Sequence, residues 1–477
     1  MQGLHFTRRF LPAVLGCLLS WPAAGAQSSV SVAVDPATAG PVISSNFIGL
    51  SYETALVLPG RSGKHFFSRE NQPLVQMFRT LGIKSLRVGG NTAERETVAV
   101  PSLEDIDSLF GFADAAGVKV IYTLPLYRGE PAVDGAIAKY VLEHYKADLT
   151  CFCLGNEPDK TNQFADYREA FRRFVAVITS PTNAPEAKFC GPSATHKNAS
   201  WAGQFACDFG HDSRVALITQ HEYPARSGLH IANASEAADR LLSPELYKTY
   251  EALYGQFVPA ALSNSLPYRL EEANSFSNGG APGVSDAFAA ALWGLDYLYW
   301  WAQHGASGIN FHTGGSAPGD PPRGPMKYAV FWNSDDGFAA HALAYALKAF
   351  ALAGDGRLVP ATLSSNPSPL NLTAYAVLTP KNSLYVTLIN KEHGPSHRDA
   401  EVNISVSRAY ARAEAMFLTA PGGDIGAKSG VTLGGASFQN DGTWRGTWTP
   451  LKAAKSNGQL TLVLPAASAA IVKLADN

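Results

Sequence analysis

Two acidic stretches, each closing a short apolar run, are the residues best placed to do chemistry in this chain. The first is Asn156-Glu157, which ends the run Leu149-Thr150-Cys151-Phe152-Cys153-Leu154-Gly155 and precedes Pro158-Asp159. Such a run reads as a strand buried on both faces. The C-terminal lip of that kind of strand is where parallel α/β barrels gather reactive groups. Alone, Asn-Glu-Pro marks a turn more often than a catalyst. The second stretch, Pro267-Tyr268-Arg269-Leu270-Glu271-Glu272, ends in acid about three βα units of ~30–40 residues further on. Two carboxylates at separate lips can act as proton donor and nucleophile around one bond. Successive strand side chains face opposite ways, so only one of Glu271 and Glu272 is expected in the site. Periodicity does not say which.

Further polar residues fall at the same lip. Glu53 ends Gly49-Leu50-Ser51-Tyr52-Glu53, where it reads equally as a solvated loop acid or a substrate contact. Arg87 and Asn91 flank Gly89-Gly90, and Arg87 suits an ion pair with a catalytic carboxylate, with substrate, or with the scaffold. Tyr223, in His221-Glu222-Tyr223-Pro224, can donate a hydrogen bond that keeps a neighbouring carboxylate ionised. His221-Glu222 lacks the His-Glu-x-x-His spacing of a metalloprotease. His312 ends the last strand-like run, to line the site or satisfy a buried partner.

These groups need a scaffold that brings distant lips together. Strand-like runs at Phe47–Tyr52, Ser85–Val88, Val118–Leu124, Leu149–Leu154, Lys188–Cys190, Val215–Gln220, Tyr268–Leu270 and Gly308–Phe311 alternate with helical stripes. One stripe is Leu74, Met77, Phe78 and Leu81; Gly82 and Gly117 fall where helix ends are expected. Eight such repeats predict a closed (β/α)8 TIM barrel over residues 41–353. Beyond it the helical period disappears. Leu372–Leu378, Leu384–Ile389, Val402–Val406, Ala413–Leu418 and Leu460–Leu464 predict a C-terminal all-β sandwich over 354–477. Residues 27–40 carry the alternating Val30–Val34, a strand expected to join that sandwich.

The chain has 477 residues, 46% hydrophobic and 16% charged, with net charge −2. Nothing there steers nucleic acid or an anionic membrane surface. No internal run approaches the ~18 apolar residues of a membrane span. Residues 1–26 read as a cleaved export leader, with Arg8-Arg9, an apolar core from Phe10 to Trp21, and Ala24-Gly25-Ala26 at the cut. The protein is therefore expected to be secreted or periplasmic; lipid anchoring at Cys17 is the lesser alternative. Cys151 and Cys153 are expected to be small buried hydrophobes with no His nearby to complete a metal set. Cys190 and Cys207 are candidates for a disulfide. Oligomeric state is left open.

The ordered set Phe47-Ile48-Gly49-Leu50-Ser51-Tyr52-Glu53, Leu86-Arg87-Val88-Gly89-Gly90-Asn91, Gly155-Asn156-Glu157-Pro158, His221-Glu222-Tyr223-Pro224 and Leu270-Glu271-Glu272-Ala273-Asn274-Ser275 resembles glycoside hydrolase family 79. That family holds β-glucuronidases and heparanase-type enzymes among the retaining barrel glycosidases. The resemblance implies Glu157 as acid/base, kept protonated by burial and its neighbour carboxylate, and Glu272 as nucleophile. It implies Asn156 on the sugar 2-hydroxyl, and no metal or organic cofactor. Glu271 stands where the family pattern has Gly, and no role is assigned to it. The family's Tyr-x-Gly loop for a uronic carboxylate reads Ser277-Asn278-Gly279 here, so the amides of Asn278 and Gly279 are expected to hold that group. Glu53 and Tyr328 match positions around the same subsite. The expected partner is a glycan or glycoside, cleaved as a β-D-glucuronide by double displacement. A neutral β-hexosidase and a non-catalytic sugar-binding barrel are the alternatives.

Overall fold

The computed structural model describes residues 26–229, 231–320, 324–365, 369–452 and 459–476. The leader expected over 1–26 lies outside them except for Ala26, which opens the first strand, β1 (Ala26–Val34). Eight parallel strands then close into a barrel: β2 (Ile48–Glu53), β3 (Ser85–Gly89), β4 (Lys119–Leu124), β5 (Leu149–Leu154), β6 (Phe189–Ala194), β7 (Val215–Glu222), β8 (Tyr268–Ala273) and β9 (Ile309–His312). β9 pairs with β2 to shut the ring, Ile48 opposite Ile309. Barrel helices end as their glycines require: Gly82 and Gly117 adopt φ 74° and 71°, and the following Ile83 and Val118 amides bond back to Phe78 and Ala113.

β6, β7 and β8 run further than the apolar stretches in the sequence suggest. Parallel pairing with their neighbours carries polar residues into the ladder, including Ser193, His221, Glu271 and Glu272. Burial on both faces of a barrel strand replaces solvation for these side chains, so polarity does not mark where the strand stops.

A hairpin, β10 (Phe331–Ser334) with β11 (Gly337–Ala340), precedes the last barrel helix at Ala342–Ala353. The remaining strands form two sheets: β12 (Arg357–Val359), β13 (Ala361–Ser365), β14 (Leu372–Leu378), β15 (Leu384–Asn390), β16 (Arg398–Val406), β17 (Arg412–Thr419), β18 (Thr432–Leu433), β19 (Thr449–Pro450), β20 (Gln459–Leu464) and β21 (Ser468–Ala475). One sheet is ordered β13-β1-β16-β20; the other is ordered β12-β14-β15-β21-β17-β18, with β19 beside β17. Their facing sides share one apolar core, with Val30, Val32, Val402, Ile404, Val386 and Val472 among its members. β1 is interior to its sheet, antiparallel to β13 and parallel to β16. Among the described residues no helix is long and apolar enough to cross a membrane.

Candidate active site

Glu272 lies at the C-terminal end of β8 with its carboxylate fully engaged. Arg87, on β3, donates from Nη1 to Glu272 Oε2 at 2.8 Å, and the Tyr223 hydroxyl donates to Oε1 at 2.9 Å. His312 Nδ1 stands 3.7 Å from Oε2. Burial alone would raise this carboxyl. The cationic field of His312, His221 and Arg87, with the phenol donor, outweighs burial and holds it well below the usual carboxylate range. Arg87 is 0% exposed. It therefore does not meet substrate, as one reading of the sequence allows. It orients two groups that can: its Nη2 donates to Asn156 Oδ1 at 2.7 Å. An arginine only donates, so the atom facing it is the Asn156 oxygen. Among the described residues nothing accepts from Asn156 Nδ2, which is left for a ligand.

Glu157 follows β5 on left-handed backbone, φ 46° and ψ 54°, a conformation that costs a non-glycine residue about 1–3 kcal/mol. Its amide donates to Ser193 O at 3.0 Å, and Lys160 N closes the following turn onto its carbonyl. The strain turns the side chain toward β8. Oε1 meets His221 Nδ1 at 3.2 Å, and Oε2 pairs with the half-exposed ammonium of Lys160. A carboxylate oxygen of Glu157, one of Glu272 and a ring nitrogen of His221 all lie within 4.8 Å of one another. Burial and Glu272 push the Glu157 carboxyl up, as expected from the sequence. His221 and Lys160 pull harder, and the net direction is down. The expectation of a protonated Glu157 in the free protein is thus corrected by two cations that the sequence pattern did not place beside it.

The second correction concerns Glu271. It turns neither outward nor toward a loop: it is 0% exposed and inside the barrel. Gln220 pairs with Leu270 and His221 with Glu272, so Glu271 is the extra residue of a bulge. The bulge breaks the alternation that would have sent adjacent glutamates to opposite faces. Ser193 donates to Glu271 Oε1, and the thiols of Cys153 and Cys190 lie 3.9 Å from its two oxygens. His221 Nε2 faces Oε1 at 3.5 Å. His221, dismissed in sequence as half of an incomplete metal motif, is therefore the hub between Glu157, Glu271 and Glu272. It lies two residues before Tyr223, near the end of β7, and that proximity to a lip residue was the available signal.

The remaining expected residues occupy the rim. Glu53 accepts from Thr92 N at 2.7 Å, Thr92 Oγ1 at 2.6 Å and Asn91 N at 3.3 Å. It faces His312 Nε2 at 3.8 Å, and its side chain is 18% exposed. Asn91 Oδ1 accepts from Lys160. Tyr328 packs on Tyr223, ring centroids 6.1 Å apart, and its carbonyl accepts from Asn274. Asn278 and Gly279 lie on left-handed backbone, and among the described residues their amides donate to nothing. The sequence shows no basic cluster near the lip, yet folding makes one. His196 and Lys197 after β6 and Arg226 after β7 line a cavity of about 540 Å³ with Tyr223, Ser277 and Asn278.

Among the described residues, two sets of atoms are close enough to hold a cation: Glu157, His221 and Glu272, or Cys153, Cys190 and Glu271. The first would consume both catalytic candidates. In the second, Glu271 already receives Ser193, and His221 supplies the imidazole that the sequence lacked nearby. Cys190 is buried in the barrel while Cys207 is exposed, and both are free thiols, so the candidate Cys190–Cys207 bridge is not formed.

Residues 374–471 match the glycosyl hydrolase family 79 C-terminal beta domain. A β-glucuronidase of Aspergillus niger is 28% identical over 188 residues, a match spanning 34% of this chain and 34% of that protein. Among solved structures, a 4-O-α-L-rhamnosyl-β-D-glucuronidase from Fusarium oxysporum 12S superposes with TM-score 0.67 at 19% identity, covering 95% of this chain and 100% of that one. A family 51 α-L-arabinofuranosidase from Bifidobacterium longum gives TM-score 0.68 at 15% identity, covering 94% and 100%. At such identities the superpositions speak to the fold alone: a barrel with an attached β domain. With a match to that family's β domain following the barrel, these findings support the chain's resemblance to glycoside hydrolase family 79.

Proposed function

We propose that this protein is an exported retaining β-glycosidase that releases β-D-glucuronosyl residues, with Glu272 as nucleophile and Glu157 as acid/base. The observation carrying the mechanism is the 4.8 Å bound on the approach of their carboxylate oxygens. Retaining enzymes hold the two carboxyls ~5–5.5 Å apart, whereas inverting ones leave ~6.5–9.5 Å for a water. Glu272, ionised and aimed by Arg87 and Tyr223, attacks the anomeric carbon. The leaving oxygen takes the proton that Glu157 and His221 share, and the pair becomes carboxylate and neutral imidazole. Water entering the second step returns a proton to the pair as its hydroxide portion displaces Glu272. Asn156 Nδ2 donates to the sugar 2-hydroxyl.

The glucuronide assignment rests on the unengaged amides of Asn278 and Gly279, beside Tyr223 and Tyr328. Backbone donors to a carboxylate are charge-assisted, about twice as strong as neutral bonds. The matched β-glucuronidase, though covering only part of the chain, supports the same sugar. A panel of p-nitrophenyl β-D-glucuronide, β-D-glucoside and β-D-galactoside, followed by NMR of the first-formed anomer, tests both claims. The expected result is fastest release from the glucuronide, with the β anomer appearing first. Faster glucoside cleavage would overturn the sugar, and an α product the mechanism. Export is tested by sequencing the N-terminus of protein recovered outside the cytoplasm.

A further inference from the structure

Behind the two carboxylates just discussed lies a third, which that mechanism leaves idle. Glu271 sits below the site, fully buried, placed there by the β8 bulge. Its partners are short-reach groups of three other strands: the thiol of Cys153 on β5, Ser193 and the thiol of Cys190 on β6, and the imidazole of His221 on β7. The thiols are pushed up in pKa, by a hydrogen bond and burial at Cys153 and chiefly by burial at Cys190, so both stay neutral. Glu271 stays ionised: burial opposes the charge, but His221, Arg87 and Ser193 stabilise it more.

His221 is the only one of those partners that also touches the reacting groups. Nδ1 meets Glu157 at 3.2 Å and stands 3.9 Å from Glu272, while Nε2 makes no hydrogen bond and has Glu271 in front of it. The surrounding charges are Arg87 on β3, Glu157 after β5, and Glu271 and Glu272 on β8. His196 after β6 and the Tyr223 phenol face the same region. An imidazole flanked by carboxylates at both nitrogens is fixed in ring orientation and in proton content.

We propose that Glu271 is a positioning residue of the acid/base step: from beneath the site it holds His221 with Nδ1 presented to Glu157 and keeps that pair supplied with its proton. The inference rests on Glu157 being the acid/base. No bond is made to Glu271 itself. One proton moves from the Glu157–His221 pair to the leaving oxygen, and one returns from water. Burial opposes charging His221, but Glu272, Glu157 and Glu271 raise it to about 10. Removing the Glu271 charge weakens proton retention at both members of the pair, so the alkaline limb of kcat/KM should move to lower pH.

The test uses Glu271→Gln, which keeps the side-chain shape, in the full-length protein. By ¹⁵N NMR of labelled histidine, the His221 midpoint should fall from about 10 toward the ordinary imidazole value of ~6.5. This readout needs no activity, so it stands apart from the functional assignment; a wild-type protein inactive on every glycoside would overturn that assignment, and the role argued from it. The variant should lose at least about tenfold in kcat/KM on an alkyl glucuronide, a fraction of the ~10²–10⁴ that general acid catalysis supplies. It should lose little on a dinitrophenyl glucuronide, whose leaving group needs no proton. Glu271→Asp should recover part of the loss. In a His221→Asn background Glu271→Gln should add nothing. An unmoved His221 midpoint, equal losses on both leaving groups, or additive effects in the double variant would each overturn the role. If Glu271→Gln does not fold, Glu271→Asp carries the same readouts with a smaller expected shift.

Discussion

Glu272 is held by donors on both oxygens, so its replacements should separate chemistry from folding. Glu272→Gln keeps the shape and removes the proposed nucleophile: turnover should vanish, and azide should not restore it. Glu157→Ala should keep activity on aryl glycosides with good leaving groups, accelerate with azide, and give a β-glycosyl azide identifiable by mass and NMR. Tyr223→Phe removes one donor to Glu272. Because the folded-state carboxyl lies below its ordinary value, losing that donor moves it up, and the acidic limb of kcat/KM should shift to higher pH. A limb that stays in place would mean that Glu272 does not set it. At this scale the sequence was legible where a residue sits at a strand end and opaque where charges meet through space. Glu157 and Tyr223 announce themselves by position, whereas the choice of Glu272 over Glu271 comes only from the family resemblance. The cations that lower Glu157 come from a helical turn and from β7, two strands round the barrel, and the cluster of His196, Lys197 and Arg226 is assembled from two separate loops.

The loops after β2 and β3 lock together around Gly90, which adopts φ 69°. A Cβ built there would lie 2.5 Å from the Glu53 carboxylate, which in turn holds the Asn91–Thr92 amides. Gly90→Ala should therefore displace Glu53, cost about 1–3 kcal/mol for the strained backbone, and impair substrate binding more than folding. Chemical denaturation and KM together check it; an unchanged KM would place Glu53 outside the substrate pocket. Most barrel strands could be read from apolar runs, since a strand covered on both faces needs them. Several features at the element scale could not, the β8 bulge and β21 among them. The β8 bulge depends on pairing register with β7 and β9, which no local pattern encodes. β21, Ser468-Ala469-Ala470-Ile471-Val472-Lys473-Leu474-Ala475, is rich in alanine, which disfavours strands on its own. It becomes one because β15 and β17 supply ladders on both sides.

Barrel and β domain are joined by a buried charge. Asp296, on the helix Phe288–Gln303, accepts from Lys391 Nζ at 2.8 Å and from Thr373 and Tyr375, all three outside the barrel. Both charged side chains are almost wholly buried. Asp296→Asn would leave the Lys391 ammonium without a counter-charge, and breaking such a pair costs ~3–5 kcal/mol. Calorimetry should show a lowered Tm. Burial raises the Asp296 carboxyl, but Lys391, Tyr247 and Thr373 bring it below its ordinary value. Its stabilisation should then be complete above the ordinary Asp pKa of ~3.9 and fade as pH falls through the lower folded-state value. The difference in Tm between wild type and variant should shrink on that acidic side. β1 gives the assembly an order in time. A ribosome makes this strand before the barrel, yet both of its sheet neighbours, β13 and β16, are encoded beyond the entire barrel. β1 must therefore wait, unpaired, while the barrel is synthesised. Such long-range closure is slow. Newly made chains would thus depend on whatever shields an unpaired strand in the meantime, and the β domain is the last part of the molecule to become complete.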